Sequence, residues 1–381
     1  MKITLVTHSM YPESIGGREK YVYYLADSLG KRGHKVKVFT CTPALHSRVR
    51  KYENFTVHYF PSIDIPLKNA KYRIPVMMAL KLLQDDADII HAQDLHHFTT
   101  FASSLAAAIT KRKVIVTEHG YPPLGGLMKL LIEIYDKTCL KFIGKSSSKI
   151  IAVSNFISKE LERRYKLDRA KSITIHNGMY NMQTAATDAD AFVEKYALKN
   201  KKIILGIGRQ TKEKGFQYLI RAFKKISGKF PNIVLVIVGP PGGYRIVLEG
   251  LVRKFGLAKR VIFTGPLDEE LVRSAMKKCE MVVIPSEYEP FPFVALESLS
   301  FGKPVVAAAV GGLPEIFTNG SNGLLFMPED EKDLAEKMQL LLKNREVKNK
   351  LIRNSRESLK RFNWDSFIEK IESVYEKVAA S

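Results

Sequence analysis

One local order occurs twice in this chain, and it constrains the fold more than any single motif does. Ile3-Thr4-Leu5-Val6 is a short apolar run that ends in a loop containing Gly16 and Gly17. A helical pattern follows, with Tyr21, Leu25 and Leu29 about one turn apart; Gly30 and Gly33 close it, and Val36–Phe39 reads as the next strand. At Lys202 the order restarts: a strand over Lys202–Gly206, a loop, a helix from about Phe216, and a strand over Ile233–Val238. Further strands are expected at Phe55–Phe60, Asp88–His91, Lys113–Thr117, Lys149–Val153 and Ser172–His176, then at Val261–Thr264, Met281–Ile284, Lys303–Ala309 and Gly323–Phe326. Helical segments lie between most of them, which predicts mostly parallel sheets with helices on both faces. Asn177-Gly178 ends the first half, and the polar, Ala-rich Thr184–Asn200 suits a linker with a short helix. From Glu329 onward the pattern is helical. A chain of 381 residues is comfortable for two such domains, each with its own core.

Ligands of doubly wound sheets bind beyond the carboxyl ends of the strands, so the polar residues there matter most. Pro285–Ser298 (PSEYEPFPFVALES) leaves an apolar strand, turns at Pro285-Ser286 and becomes helical by about Val294. A helix N-terminus offers unpaired amides and partial positive charge to a phosphate. Glu289 and Glu297, eight positions apart, suit sugar hydroxyls, because ionised carboxylates only accept hydrogen bonds and repel phosphate. An ordinary strand-turn-helix with exposed acids would read the same way. In the loop GIGRQTKEKG, Arg209 and Lys214 can neutralise a diphosphate, one as a planar fork and the other as a point charge. No Ser or Thr follows Lys214, so this is not a Walker loop. Gly16 and Gly17 permit close backbone approach to a ligand. His91, His119 and Ser154-Asn155 fall at strand ends; His8, His96 and His97 receive no assignment.

Glu289-(seven residues)-Glu297, preceded by Pro285-Ser286, resembles the acidic signature of glycosyltransferase family 4, the retaining GT-B enzymes. Gly-x-Gly-Arg-x-x-x-x-Lys-Gly over 206–215 is similar to that family's diphosphate loop. Thr117-Glu118-His119 resembles its Thr-x-His element, and Gly311-Gly312-Leu313-Pro314-Glu315 its Gly-Gly-x-x-Glu element. These motifs keep the family's order over nearly the whole chain.

The resemblance implies a GT-B fold, with two Rossmann-like domains facing across a cleft: an acceptor-side domain over 1–180, a nucleotide-sugar domain over 181–360, and a final helix over 361–381 crossing back to the first. Phe362, Trp364 and Phe367 would anchor that crossing. The implied reaction moves a hexosyl group, with retention, from a nucleotide-diphosphate sugar (UDP- or GDP-linked) to a hydroxyl of a glycan, lipid or small molecule. The implied catalytic residues are His119, Glu289, Arg209 and Lys214. Donor contacts fall on Gly16, Gly17, Arg209, Lys214, Glu289, Phe291, Phe293, Val294 and Glu297, with Glu297 on the ribose and Glu289 on the transferred sugar. Gly265-Pro266-Leu267 would lie near the base. No metal is implied, and no cofactor beyond the sugar-nucleotide co-substrate.

Two departures stand out. Pro292 occupies a place where the family usually has Gly, which removes one amide donor and shifts phosphate binding to Phe293 and Val294. The family's frequent His-x-His is here His91-Ala92-Gln93. A nucleotide-sugar epimerase or a glucan phosphorylase shares this architecture and remains an alternative.

The formal charge of +21 leans toward the N-terminal half: residues 1–180 hold 28 Lys and Arg against 15 Asp and Glu, residues 181–381 hold 32 against 24. Such a field attracts nucleic acid, anionic lipid or phosphorylated substrates. Nucleic acid is disfavoured, because the aromatic residues do not interleave with the basic runs. Leu67–Arg73, read as a loop, carries Lys68, Lys71 and Arg73 beside Tyr72. Gly126–Lys145 is strongly apolar, with Lys129, Lys137, Lys141 and Lys145 along it. Both are expected contacts for an anionic membrane surface, the alternative being solvated lysines over a core-facing helix. Acceptor choice is expected in loops such as Pro12–Ile15 and Pro122–Leu127. Three scattered cysteines suggest neither a metal site nor a disulfide framework and favour a reducing compartment. MKITLVTHSM reads as a first strand rather than a signal peptide, and no apolar run is long enough to span a bilayer. The expected location is cytoplasmic, with peripheral contact at the inner face of the membrane.

Overall fold

Strand composition sets the sheet type. In a computed structural model describing residues 1–14, 16–67, 70–120, 135–180 and 188–381, the chain divides into two units. One comprises Met1–Gly178 with Trp364–Ser381, the other Met179–Asn363.

The first unit is built on β1 (Lys2–Val6), β2 (Lys35–Thr42), β3 (Arg48–Lys51), β4 (Phe55–Leu67), β5 (Ala70–Pro75), β6 (Ile89–Gln93), β7 (Lys113–Glu118), β8 (Lys149–Ala152) and β9 (Ser172–Thr174). They form one sheet in the order β3-β4-β2-β1-β6-β7-β8-β9, with β5 paired to β4. All neighbours are parallel except β3 and β5, which run antiparallel to β4.

The second unit has a parallel sheet in the order β12-β11-β10-β13-β14-β15, from β10 (Lys202–Ile207), β11 (Ile233–Val238), β12 (Val261–Gly265), β13 (Met281–Ile284), β14 (Val305–Ala308) and β15 (Leu324–Phe326). Every residue of β11, β13 and β14 is buried, as strands covered on both faces must be. The helix Phe216–Ser227 shows how that cover is encoded. Phe216, Leu219, Ile220, Phe223 and Ile226 repeat at one-turn spacing and join Leu235, Ile237 and Met281 in the core. The strand order reverses beside β10 in this unit and beside β1 in the other, and each reversal opens a crevice at the strand ends.

Three sequence readings change. Leu67–Arg73 is not simply a loop: Ala70–Pro75 is β5, paired with Ser62–Leu67 and setting Ile63 opposite Ile74, an apolar cross-strand pair of the kind that stabilises a hairpin. Lys68 lies outside the described residues, as does Asn69. Within Thr184–Asn200, residues 184–187 lie outside the described residues; the remainder is mostly exposed and carries the expected short helix, but that helix is tied to the second unit rather than free. The helix Ala191–Lys195 buries Phe192 completely, and the Phe192 amide donates to Ser274 Oγ at 3.0 Å. Of Gly126–Lys145, residues 126–134, with Lys129, lie outside the described residues. A π-helical turn over Asp136–Leu140 runs into the helix Lys141–Ser146, burying Leu140 and Ile143 and exposing Lys137, Lys141 and Lys145. Pro122–Leu127 and Ile15 are likewise outside the described residues.

The closing helix, Trp364–Ala379, belongs to the first unit. Trp364 Nε1–H donates to Ser28 Oγ at 2.8 Å, and Glu372 accepts from Arg32 at 2.9 Å. Phe367 is buried, whereas Phe362 belongs to the second unit, where its ring meets Phe291 edge-on at 5.7 Å.

Candidate active site

In the second unit the loop after β10 is pulled against the end of β13. Gly215 has φ +68°, and any side chain there would run into the Pro285 carbonyl, so glycine is required twice over. The Glu287 amide donates to the Glu213 carbonyl at 2.8 Å, and the Glu287 carboxylate accepts from Gln217 at 2.8 Å and Tyr218 at 3.1 Å. These ties bring Lys214 to Glu289, with Nζ and Oε2 2.7 Å apart. Ser286 Oγ donates to the same oxygen at 2.9 Å. Both bonds converge on Oε2, leaving Oε1 available to a further donor. The Glu289 side chain is only 7% exposed, whereas Lys214 keeps 26% of its surface.

The Gly311-Gly312 loop clasps the backbone of this glutamate. The Gly312 amide donates to the Glu289 carbonyl at 2.9 Å, and side chains at Gly311 or Gly312 would strike the Glu289 and Pro290 carbonyls. The helix then begins at Phe293, with Pro292 as its N-cap in an extended conformation. Pro292 therefore costs the helix nothing, and the amides of Phe293 and Val294 are first-turn donors without intrahelical partners. Phe291 and Phe293 are buried, Phe293 against Tyr180 at 5.7 Å. Glu297 is nearly buried one turn into the helix. Arg209 stands exposed on the Lys214 loop, bonded to neither Lys214 nor Glu289. Thus Lys214, Ser286, Glu289 and the glycine loop meet, flanked in the same unit by Arg209, Phe293, Val294 and Glu297.

The other predicted site residues belong to the first unit, at the ends of β1, β6 and β7. Gly16 caps the helix Gly17–Lys31, and a side chain on it would collide with the Glu19 carboxylate. Glu19 is buried and accepts from Ser9 Oγ at 2.7 Å and from Arg18 at 3.2 Å. Burial opposes its ionisation, but Arg18 and Ser9 prevail and hold its pKa below the usual value. Arg18 also bonds Asp94, His97 and His8. His119 contacts Gln93, with Nε2 and Oε1 2.9 Å apart, and its amide donates to Asp94 at 3.2 Å. Burial is the main cause that lowers the His119 pKa to about 4, so the ring is neutral at pH 7. Glu118 accepts from the amides of Leu95 and Gly120, both at 2.8 Å; burial, then the Asp94 charge, pushes its pKa up to about 7.

His91 is fully buried, its two ring nitrogens taken by Tyr375 Oη at 2.6 Å and Thr117 Oγ1 at 2.7 Å. It is part of the core. The residues that sequence reasoning missed are Ser286, Arg18, Glu19, Gln93 and Asp94. Two signals could have found members of this set: Ser286 lies inside the acidic motif, and Arg18 is a cation directly after the glycine pair. Among the described residues no group of three or more His, Cys, Asp and Glu is arranged to hold a metal ion.

Comparisons with known proteins bear on the family and the fold. The model of "Glycosyl transferases group 1" matches residues 188–358, and that of "Glycosyltransferase Family 4" matches residues 15–179. The chain is 29% identical over 391 aligned positions to an uncharacterized glycosyltransferase of Methanocaldococcus jannaschii, covering 98% of each. It is 26% identical to a D-inositol 3-phosphate glycosyltransferase of Stackebrandtia nassauensis, covering 92% of this chain and 84% of the relative. The structure of Anabaena HepE in complex with UDP-glucose superposes with a TM-score of 0.81 at 21% identity, over 99% of this chain and all of the other. Two Rossmann-like parallel sheets of this order make a GT-B fold. With one family model on each half, the chain belongs to the family 4 glycosyltransferases.

Proposed function

We propose that the protein transfers a hexosyl group, with retention of anomeric configuration, from a UDP- or GDP-linked sugar to a hydroxyl of a glycan, lipid or small acceptor. The observation that carries this reading is the convergence of Lys214 and Ser286 on one oxygen of Glu289 beside the first turn of the helix Phe293–Ser300. It supplies cation, amides and an oriented carboxylate within one segment. As the acceptor hydroxyl oxygen bonds to the anomeric carbon on the face the donor phosphate leaves, the bond between that carbon and the phosphate oxygen breaks, the diphosphate departs with the electron pair, and the acceptor's proton passes to the departing phosphate oxygen. Arg209, Lys214 and the amides of Phe293 and Val294 stabilise that growing charge. Oε1 of Glu289 accepts from a hydroxyl of the transferred sugar, and Glu297 accepts from the ribose. Neutral His119 hydrogen-bonds the sugar, and the reading uses no metal and no further cofactor. Gly16 and Gly17 keep a diphosphate contact on the strength of the family resemblance. UDP is the favoured nucleotide, in line with the UDP-glucose complex of a protein of the same fold. Incubation with UDP-glucose or GDP-mannose and an acceptor panel, followed by proton NMR, should give a glycoside with the donor's anomeric configuration. An inverted product contradicts the reading; epimerised nucleotide sugar, or sugar phosphate formed from a glucan, favours the alternatives.

The same reading puts the protein in the cytoplasm, at an anionic membrane surface. Ile63, Val76, Met77 and Leu80 are exposed on and just after the β4–β5 hairpin, beside exposed Lys81, and Ile109 is exposed on the neighbouring helix. Apolar contact next to lysine suits an acidic bilayer interface. No described helix is long and apolar enough to cross a membrane. At low salt the protein should co-sediment with phosphatidylglycerol vesicles and not with phosphatidylcholine vesicles. Absence of binding to both contradicts this part of the reading.

A further inference from the structure

We propose that Gln93 is a positioning residue for the reaction, holding His119 in one ring orientation and one tautomer; this rests on the reading of His119 as a sugar contact. Gln93 ends β6 and is fully buried. Its register partner is Thr117, two residues before His119. Its backbone is held as well: Thr100 Oγ1, with one proton to give, lies 2.6 Å from the Asp94 carbonyl oxygen and 3.0 Å from that of Gln93. Asp94 then turns through φ +62°, and its carboxylate receives the His119 amide. The strand end is therefore a rigid support, and what it presents to the imidazole is the Gln93 carboxamide.

The carboxamide oxygen accepts from Nε2–H of His119 at 2.9 Å. A neutral imidazole has one donor and one acceptor nitrogen, so this bond makes Nδ1 the acceptor. Tyr21 stands edge-on to the ring with centroids 4.7 Å apart, and Tyr21 is backed by Phe367 at 5.7 Å. That leaves the ring one well-packed pose. Gln93 Nε2 is buried with no hydrogen-bond partner. A buried donor left unpaired is unfavourable and calls for an explanation. An apolar residue of similar size would remove the cost and release the imidazole.

A carboxylate here would be wrong for a neutral ring. Among the described residues the groups facing His119 are Gln93, Asp94 and His97 from β6 and the turn after it, and Arg18, Glu19 and Tyr21 from the helix Gly17–Lys31. His91 completes the set, with Tyr375 of the last helix behind it. An uncharged Gln93 leaves this balance on the neutral side, whereas Gln93→Glu adds an anion against Nε2 and raises the imidazole pKa.

The test uses Gln93→Met and Gln93→Glu in the full chain, with His119→Ala as reference. Gln93→Met should lower kcat about tenfold or more while UDP stabilises the protein as it does the wild type. Gln93→Glu should move the acid limb of the kcat profile upward by about one pH unit or more, because protonated His119 then persists to higher pH. Ring nitrogen shifts of labelled histidine should show His119 as the Nε2–H tautomer in the wild type and a mixture in Gln93→Met, a readout that needs no turnover. An unchanged tautomer in Gln93→Met, or wild-type kcat and pH profile in both variants alongside an impaired His119→Ala, overturns the inference and leaves the proposed function standing. Wild-type kcat in His119→Ala defeats the reading of His119 itself, and the inference with it.

Discussion

Lys214 and Glu289 show how little of a site a single residue pair needs to reveal. The glutamate is nearly buried opposite a lysine that is a quarter exposed. The pair lies between the exposed and the buried case; with Ser286 still bonded to Glu289 and solvent reaching the lysine end, loss of the lysine costs folding on the order of 1–2 kcal/mol, so its placement is better explained by chemistry. Lys214→Ala should leave the melting temperature within a few degrees and lower kcat/KM by a factor of about 100 or more, roughly 3 kcal/mol of transition-state stabilisation. Steady-state kinetics beside a circular-dichroism melt would check both halves. Near-normal turnover would remove Lys214 from the site. Pro292 bears on the same scale: at the N-cap its missing amide is one that no intrahelical bond would use, so the replacement of Gly leaves the helix start intact.

At the scale of elements, the turns hold the site together. Gly215 and Gly311 are both left-handed, and both lie against backbone carbonyls of the Pro285–Glu289 turn. Gly215→Ala should destabilise the protein by about 2–4 kcal/mol, from the αL penalty and the displaced loop. It should also weaken nucleotide binding, because Lys214 would lose its place. A denaturant titration with and without UDP measures both, and wild-type values would contradict the packing argument.

The elements also show what was legible in sequence. β11 and β13 were readable because each is an apolar run with nothing else to be. β3 was missed because Arg48-Val49-Arg50-Lys51 is exposed at every position and so carries no burial period. β5 reads as part of a loop in sequence because Lys71, Tyr72 and Arg73 mask a pairing visible only once Ile63 faces Ile74. The glutamates, Arg209 and Lys214 were legible through their motifs. The contact of Lys214 with Glu289, 75 positions apart, was not, because sequence spacing does not encode which loop ends meet. The same holds for Arg18, Gln93 and Asp94. A buried polar cluster assembled from a helix's first turn and a distant strand end has no local pattern, and only folding places its members together.

At the scale of the whole molecule, two Rossmann-like units repeat one plan with different residues at the strand ends. The chain returns to the first unit through Trp364–Ala379, whose Tyr375 bonds His91 inside the core. The second unit holds the cation, the amides and both glutamates, so the central claim is that this unit binds a nucleotide diphosphate. The most direct test is thermal unfolding with UDP, GDP or ADP, each alone and with its common sugars, in the wild type and in Lys214→Ala. A ligand bound only by the native state at about 100 times its Kd adds roughly 2.7 kcal/mol, or about 5–10 °C for a unit of this size. Such a shift is expected with one nucleotide, UDP foremost, and is expected to be lost in Lys214→Ala. No shift with any diphosphate, or an equal shift in the variant, would contradict it.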